Sequence, residues 1–223
     1  MIDHLADRGF GYGSGIISPD HNRFIINIPK NASSYVLDWT GKFGWSTALA
    51  DHYNDLTEII VVLRDPLQRW ISGMAQYLKT YVLCPVGPNG PVFPGMLTSK
   101  EDYAMSADNF IDLYNDLTER LIFDVVFKFD DHVWPQYDFF KDICTDTPRT
   151  YFLLDNNFNN KFADHLGIGF VDGLDINSVD SNPDQKKLNE FLKLRLNTRP
   201  ELVERVQRAY AQDYKIIQQV FNK

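Results

Sequence analysis

Lys30, Asn31, Ala32, Ser33 and Ser34 stand together immediately after an apolar run, Phe24-Ile25-Ile26-Asn27-Ile28, that stops at Pro29. A lysine among small amide and hydroxyl residues can hold an anion where the chain turns from a strand into a helix. There the unpaired N–H groups and the positive end of the helix dipole converge, and the ammonium adds a full charge. Further along, Arg64, Asp65, Arg69 and Ser72 follow a second apolar run, Ile59-Ile60-Val61-Val62-Leu63. Arg64 falls at the tip of that run, and Arg69 and Ser72, three apart, share one face of the helix that follows. One group offers a lysine and hydroxyls, the other an arginine and a hydroxyl. Together they describe a site for a ligand with two separated anionic groups. The first loop by itself also fits an ordinary capped strand–helix turn, and the glycine-rich GxxxxGK[ST] phosphate loop is absent.

The elements that must position these residues follow from the same stretches. Arg23–Ile28 reads as a buried strand, because β-branched and aromatic residues run without a polar alternation and proline closes the run. A helix is predicted from about Ser34 to Lys42, and a second buried strand over Glu58–Arg64. Asp65 suits an N-cap, Pro66 the first helical position and Gln68 the capping-box position of a helix reaching about Leu78. That helix carries Trp70, Met74 and Tyr77 towards a core. Two strands joined by a crossover should be parallel, with both loops opening on the C-terminal edge of the sheet, where open α/β sheets bind ligands.

IPKNASS resembles the 5′-phosphosulfate loop of sulfotransferases, and RDPLQRWIS is similar to their 3′-phosphate motif, R-D-P-x-x-R-x-x-S. The likeness is closest to the carbohydrate branch that includes the heparan 2-O-sulfotransferase-like enzymes. It covers residues 23–79 well, 124–166 loosely and the remainder hardly at all. It implies a P-loop-like fold and the donor 3′-phosphoadenosine 5′-phosphosulfate (PAPS). By position, Lys30 would hold the 5′-phosphate and the bridging oxygen. Asn31, Ala32, Ser33 and Ser34 would surround the sulfonate and 5′-phosphate, and Arg64 and Ser72 would take the 3′-phosphate. Many members have glycine where this chain has Ala32, so a loop that needs positive φ there must differ in geometry.

Sulfonyl transfer also needs a base for the acceptor hydroxyl, and two of the five histidines qualify. His52 lies just before the second strand, in the interval where the families place their catalytic Glu or His. His132, in DDHVWPQ, matches an H-x-x-P-Q element of the carbohydrate branch, which implies donor or acceptor contacts for His132 and Gln136. A model imidazole pKa near 6.5 suits general-base work. Glu58 and Asp51 are further candidates. His4 and His21 lie in or beside the leader, and His165 reads as a helix-end cation. Arg195 and Arg199 lie where relatives carry a C-terminal loop over the nucleotide, and they equally fit an exposed helix end. No CxxC or HxxxH spacing points to a metal.

The chain has 223 residues, 44% of them hydrophobic, which suits one globular domain. The expectation is a flexible, glycine-rich leader over 1–22 and a single domain over 23–223. The fold class expected is α/β: three-layer and P-loop-like, with a central parallel sheet flanked by helices. Trp45–Asp55 reads as a second helical segment, and Asp124–Phe129 and Tyr151–Leu154 as strands. Helices are expected near 106–121, 157–166, 184–197 and 201–221. Cys84–Gly95 holds four prolines and three glycines, an irregular loop suited to bordering an acceptor pocket. A net charge of −8 disfavours nucleic acid and long polyanions as partners; a neutral carbohydrate, a lipid headgroup or a small hydroxylated metabolite fits better as acceptor. No run is long enough for a membrane span, and Met1–Gly15 lacks the regions of a signal peptide. Cys84 and Cys144 read as two reduced thiols. Asn31-Ala32-Ser33 is formally a glycosylation sequon inside the donor loop, which favours a cytoplasmic location. The rival functions are another nucleotide-dependent transferase, kinase-like in chemistry, and a non-catalytic nucleotide-binding module.

Overall fold

The computed structural model describes residues 13–53, 55–79, 131–144, 146–169 and 183–221. The chain divides into two compact units where a single domain is expected from the sequence. One comprises Met1–Pro66, Pro135–Asn177 and Tyr210–Lys223, the other Leu67–Trp134 and Ser178–Ala209.

The first unit is built on a five-stranded sheet: β1 (Ser14–Ile17), β2 (Arg23–Ile26), β3 (Ser46–Leu49), β4 (Glu58–Leu63) and β5 (Arg149–Leu153), in the order β3-β1-β2-β4-β5. The β-branched runs of β2 and β4 pair in parallel, Phe24 opposite Ile59 and Ile25 opposite Ile60, and β4 continues in parallel onto β5. The expected central parallel sheet is therefore only partly so. β1 runs antiparallel to both β2 and β3, making the sheet mixed. Its hairpin to β2 is closed by the bond from the Ser18 N–H to the Arg23 carbonyl (2.9 Å) and by His21 with φ 60°.

Two sequence expectations fail here, each for its own reason. Residues 14–17 are a buried strand and not part of a flexible leader. Gly15 reads as a breaker, yet it is the residue that lets β1 approach its neighbour. A β-carbon there would lie 2.2 Å from the Ile25 carbonyl oxygen and 2.4 Å from the Phe24 ring. Residues 46–49, expected to be helical, are edge strand β3, followed by a short 3₁₀ turn at Ala50–His52. Its composition, STAL, carries no alternation to mark it.

Helix α1 (Ser33–Gly41) and helix α3 (Phe158–Leu166) pack on this sheet through one apolar cluster. It joins Ile25, Ile60, Val62 and Phe152 of the strands to Val36, Trp39, Phe158 and Phe162 of the helices. Helix α2 (Pro66–Tyr77) leaves the tip of β4, and from Leu67 onward it belongs to the second unit. That unit also holds the turn Asp131–Val133 and helices α4 (Pro183–Thr198) and α5 (Pro200–Ala209). Trp70, Met74 and Tyr77 are buried as expected. The predicted helix over 201–221 is two: α5, and α6 (Ala211–Phe221) in the first unit. No glycine or proline marks the break. Cys144 is a free, half-buried thiol. The expected strand at 124–129, the helix at 106–121, Cys84 and the proline-rich loop at 84–95 lie outside the described residues. Among the described residues, no helix is long and apolar enough to cross a membrane.

Candidate functional site at the sheet edge

β2 and β4 point the same way, so the loops after them emerge at one edge. After β2, Lys30 and Ala32 both adopt positive φ, 67° and 59°, with Asn31 between them. The left-handed backbone at position 32 is thus borne by alanine and not by glycine. Ala32 is the N-cap of α1 and supplies no side-chain cap. The first bond of the helix ladder runs from the Val36 N–H to the Ala32 carbonyl (2.9 Å). The amides of Ser33, Ser34 and Tyr35 precede it, at the positive end of the dipole. Ser33 is half-buried and Ser34 exposed.

Arg64 follows β4, and its guanidinium donates from Nη1 to the Lys30 carbonyl (3.1 Å). The two cationic residues picked out from the sequence are therefore in contact, one loop closing on the other. Their geometry is held from below by a buried amide pair. The Asn31 Nδ2 donates to the Val62 carbonyl (2.7 Å) and to Gln136 Oε1 (2.5 Å). Gln136 Oε1 also accepts the Arg64 N–H (2.8 Å), while its Nε2 donates to the Arg64 carbonyl (2.9 Å). Gln136 thus pairs with the Arg64 backbone as a neighbouring strand would.

The side chains of Asn31 and Gln136, both assigned to the site from sequence, are turned into the interior. Asn31 is 2% exposed and Gln136 0%. Both lone-pair positions and both N–H groups of Gln136 are taken once Asp213 is included (Nε2 to Oδ2, 3.4 Å). Gln136 braces the loops and has nothing left to offer a donor or acceptor molecule. The sequon at Asn31 is closed as well, since both its amide hydrogens are engaged in the interior.

Of the base candidates, His52 lies at the right edge. β3 is antiparallel to β1 and β1 to β2, so β3 and β2 end on the same side, with Leu49 opposite Ser14 and Ile26 opposite Gly15. The exposed His52, three residues past β3, is two strand spacings from β2, about 10 Å sideways. Asp51 lies beside it, with its Oδ1 3.3 Å from where a β-carbon on Gly13 would sit. Glu58 is excluded. It begins β4, at the opposite edge from Arg64, where its Oε1 accepts from the Thr150 hydroxyl and meets His165 Nε2 (2.8 Å).

The remaining predicted residues belong to the second unit. His132 is half-buried, with Nδ1 3.1 Å from Asp131 Oδ1. Arg69, read from sequence as sharing a helix face with Ser72, is 0% exposed and donates to the carbonyls of Trp134 and Asp131 (3.3 Å for the latter). It fastens the backbone that carries His132. Ser72 is buried too. Arg195 lies over the Phe191 ring, and Arg199 pairs with Glu201, which accounts for both as helix-end contacts. No group of metal-ligating side chains occurs among the described residues.

Asp213 is the residue that sequence reasoning missed. It is buried on α6, and its carboxylate accepts the N–H groups of Gln136 and Tyr137 (both 2.8 Å). Its signal was present: Tyr210, Asp213 and Ile216 recur at helical spacing and all are buried. An acid in an apolar stripe demands buried donors. Set against protein-family models, curated proteins and solved structures, the chain matches none of them.

Proposed function

We propose that the protein is a PAPS-dependent sulfotransferase acting on a hydroxyl of a carbohydrate or small metabolite. The observation that carries this reading is the contact between Arg64 and the Lys30 carbonyl at the edge where two parallel strands end. Lys30 and the uncapped amides of Ser33 and Ser34 are suited to the 5′-phosphosulfate. Arg64 is assigned the 3′-phosphate. In finer terms the reading takes the parallel strands β2, β4 and β5 as the centre of a three-layer, P-loop-like arrangement.

The reaction forms a bond between the acceptor oxygen and sulfur as the bond from sulfur to the bridging oxygen breaks in line. The electron pair of that bond stays on the bridging oxygen of the 5′-phosphate, where Lys30 neutralises it. The acceptor proton passes to the base. Positioning and electrostatics supply most of such a rate, as in phosphoryl transfer. His52, on the same edge as Lys30, is preferred for the base, with His132 the second choice. Asp51 is placed to orient or replace His52. A cytoplasmic setting, where the sequon at Asn31 is not read, goes with this reading.

The test is transfer of labelled sulfonate from PAPS to a panel of hydroxylated acceptors. The reading expects product with the wild type and loss of it in Lys30→Ala. Loss of turnover in His52→Ala alone, with His132→Ala active, assigns the base; the reverse pattern reassigns it. A wild type that transfers nothing to any acceptor yet binds adenosine 3′,5′-bisphosphate would leave a binding module in its place.

A further inference from the structure

We infer that Asp213 is a positioning residue for the anion site, setting the Arg64 strand tip through Gln136 from a helix that touches neither loop in sequence. The choice of ligand in the test rests on the sulfotransferase reading, whereas the inference itself rests on the hydrogen-bond geometry.

A carboxylate buried this far is retained only with donors around it. Asp213 holds the backbone N–H groups of Gln136 and Tyr137, one to each oxygen, at 2.8 Å. These are the first amides of the 3₁₀ turn Gln136–Phe139, whose own N-cap, Pro135, has no side chain able to cap it. Asp213 does that work from α6. The same Oδ2 lies 3.4 Å from Gln136 Nε2, so its charge favours the amide rotamer with nitrogen inward and Oε1 towards Arg64 and Asn31. That rotamer presents an acceptor to the Arg64 N–H and a donor to the Arg64 carbonyl, the only orientation that satisfies both. Every bond in this chain is buried or half-buried, and it ends at the residue whose guanidinium reaches the Lys30 loop. The sheet itself does not depend on it, since β4 is laddered to β2 over Glu58–Ile60 and to β5 over Ile59–Leu63.

The test is Asp213→Asn, read by amide hydrogen exchange and by affinity for adenosine 3′,5′-bisphosphate. Asparagine keeps the shape but must turn its NH₂ towards one of the two donors. The Arg64 amide, which donates to Gln136 Oε1, should lose protection by roughly tenfold or more beyond any change at Ile60–Val62. Bisphosphate Kd should rise by about tenfold. Equal loss of protection along the whole of β4 would mean that Asp213 contributes stability alone, and unchanged Arg64 exchange would mean no relay; either overturns the inference. If the Asn variant does not fold, Asp213→Glu keeps the charge and shifts the carboxylate by one methylene, with the same selective changes expected and the same contrary results decisive. If the wild type binds no bisphosphate, the sulfotransferase reading fails while Arg64 exchange still decides the positioning role.

Discussion

Ala32 bears a left-handed backbone at φ 59°, a conformation that costs an L-residue about 1–2 kcal/mol. Ala32→Gly removes that cost but adds unfolded-state entropy, so a net gain of about 0.5 kcal/mol and a Tm rise of roughly 1–2 °C are expected. Ala32→Val should do the reverse more strongly, because a β-branched residue is rarely found at positive φ. Thermal denaturation of the pair checks this, and a Val variant as stable as wild type would contradict the loop geometry. Lys30→Ala leaves the backbone preference almost unchanged and removes the charge proposed to neutralise the leaving oxygen. Sulfonate transfer should fall on the order of 10²–10³-fold with Tm nearly unaltered, measured by single-turnover assay beside a melting curve.

At the scale of elements, two close backbone approaches fix how strands and helices meet. A β-carbon on Gly15 would lie 2.2 Å from the Ile25 carbonyl oxygen, and one on Gly73 would lie 2.2 Å from the His132 carbonyl oxygen. Gly15→Ala should force β1 from β2, and Gly73→Ala should force α2 from the turn that carries His132. Each is expected to cost about 1–3 kcal/mol or more, because backbone cannot yield as a side-chain tip can. Denaturant unfolding measures both, and a midpoint unchanged at Gly15 would sink the β1 pairing. Tyr35, in the first turn of α1, gives a pH test. Burial raises its phenol above the ordinary 10, opposed by a hydrogen bond with Asn159. The folded state then keeps a proton that the unfolded chain loses near pH 10, so stability falls as pH rises through that value. Tyr35→Phe should flatten this alkaline slope, seen as Tm against pH from 9 to 11.

Across the whole molecule, what the sequence revealed followed contiguous apolar runs. β2, β4, α1 and α2 could be read to within a residue or two, because unbroken β-branched stretches and the Asp65-Pro66 start leave few alternatives. β1 was hidden since its glycine serves a tertiary approach that no local pattern records, and β3 because an edge strand of small residues has no signature. The parallel order of β2 and β4 was legible, but the antiparallel half of the sheet was not. Lys30 and Arg64 stood out by type and spacing and do meet. Gln136 stood out by motif alone, which gives position without burial, and Asp213 is tied to it only by the folded chain. The central claim is that two adjoining loops grip opposite ends of one doubly charged nucleotide. Titrating adenosine 3′,5′-bisphosphate against ATP while following Tm tests it most directly, since a ligand selective for the folded state raises stability by mass action. The account predicts a saturable rise, larger for the bisphosphate than for ATP, and sharply reduced in both Lys30→Ala and Arg64→Ala. A greater rise with ATP, or a bisphosphate response that survives both substitutions, would contradict it.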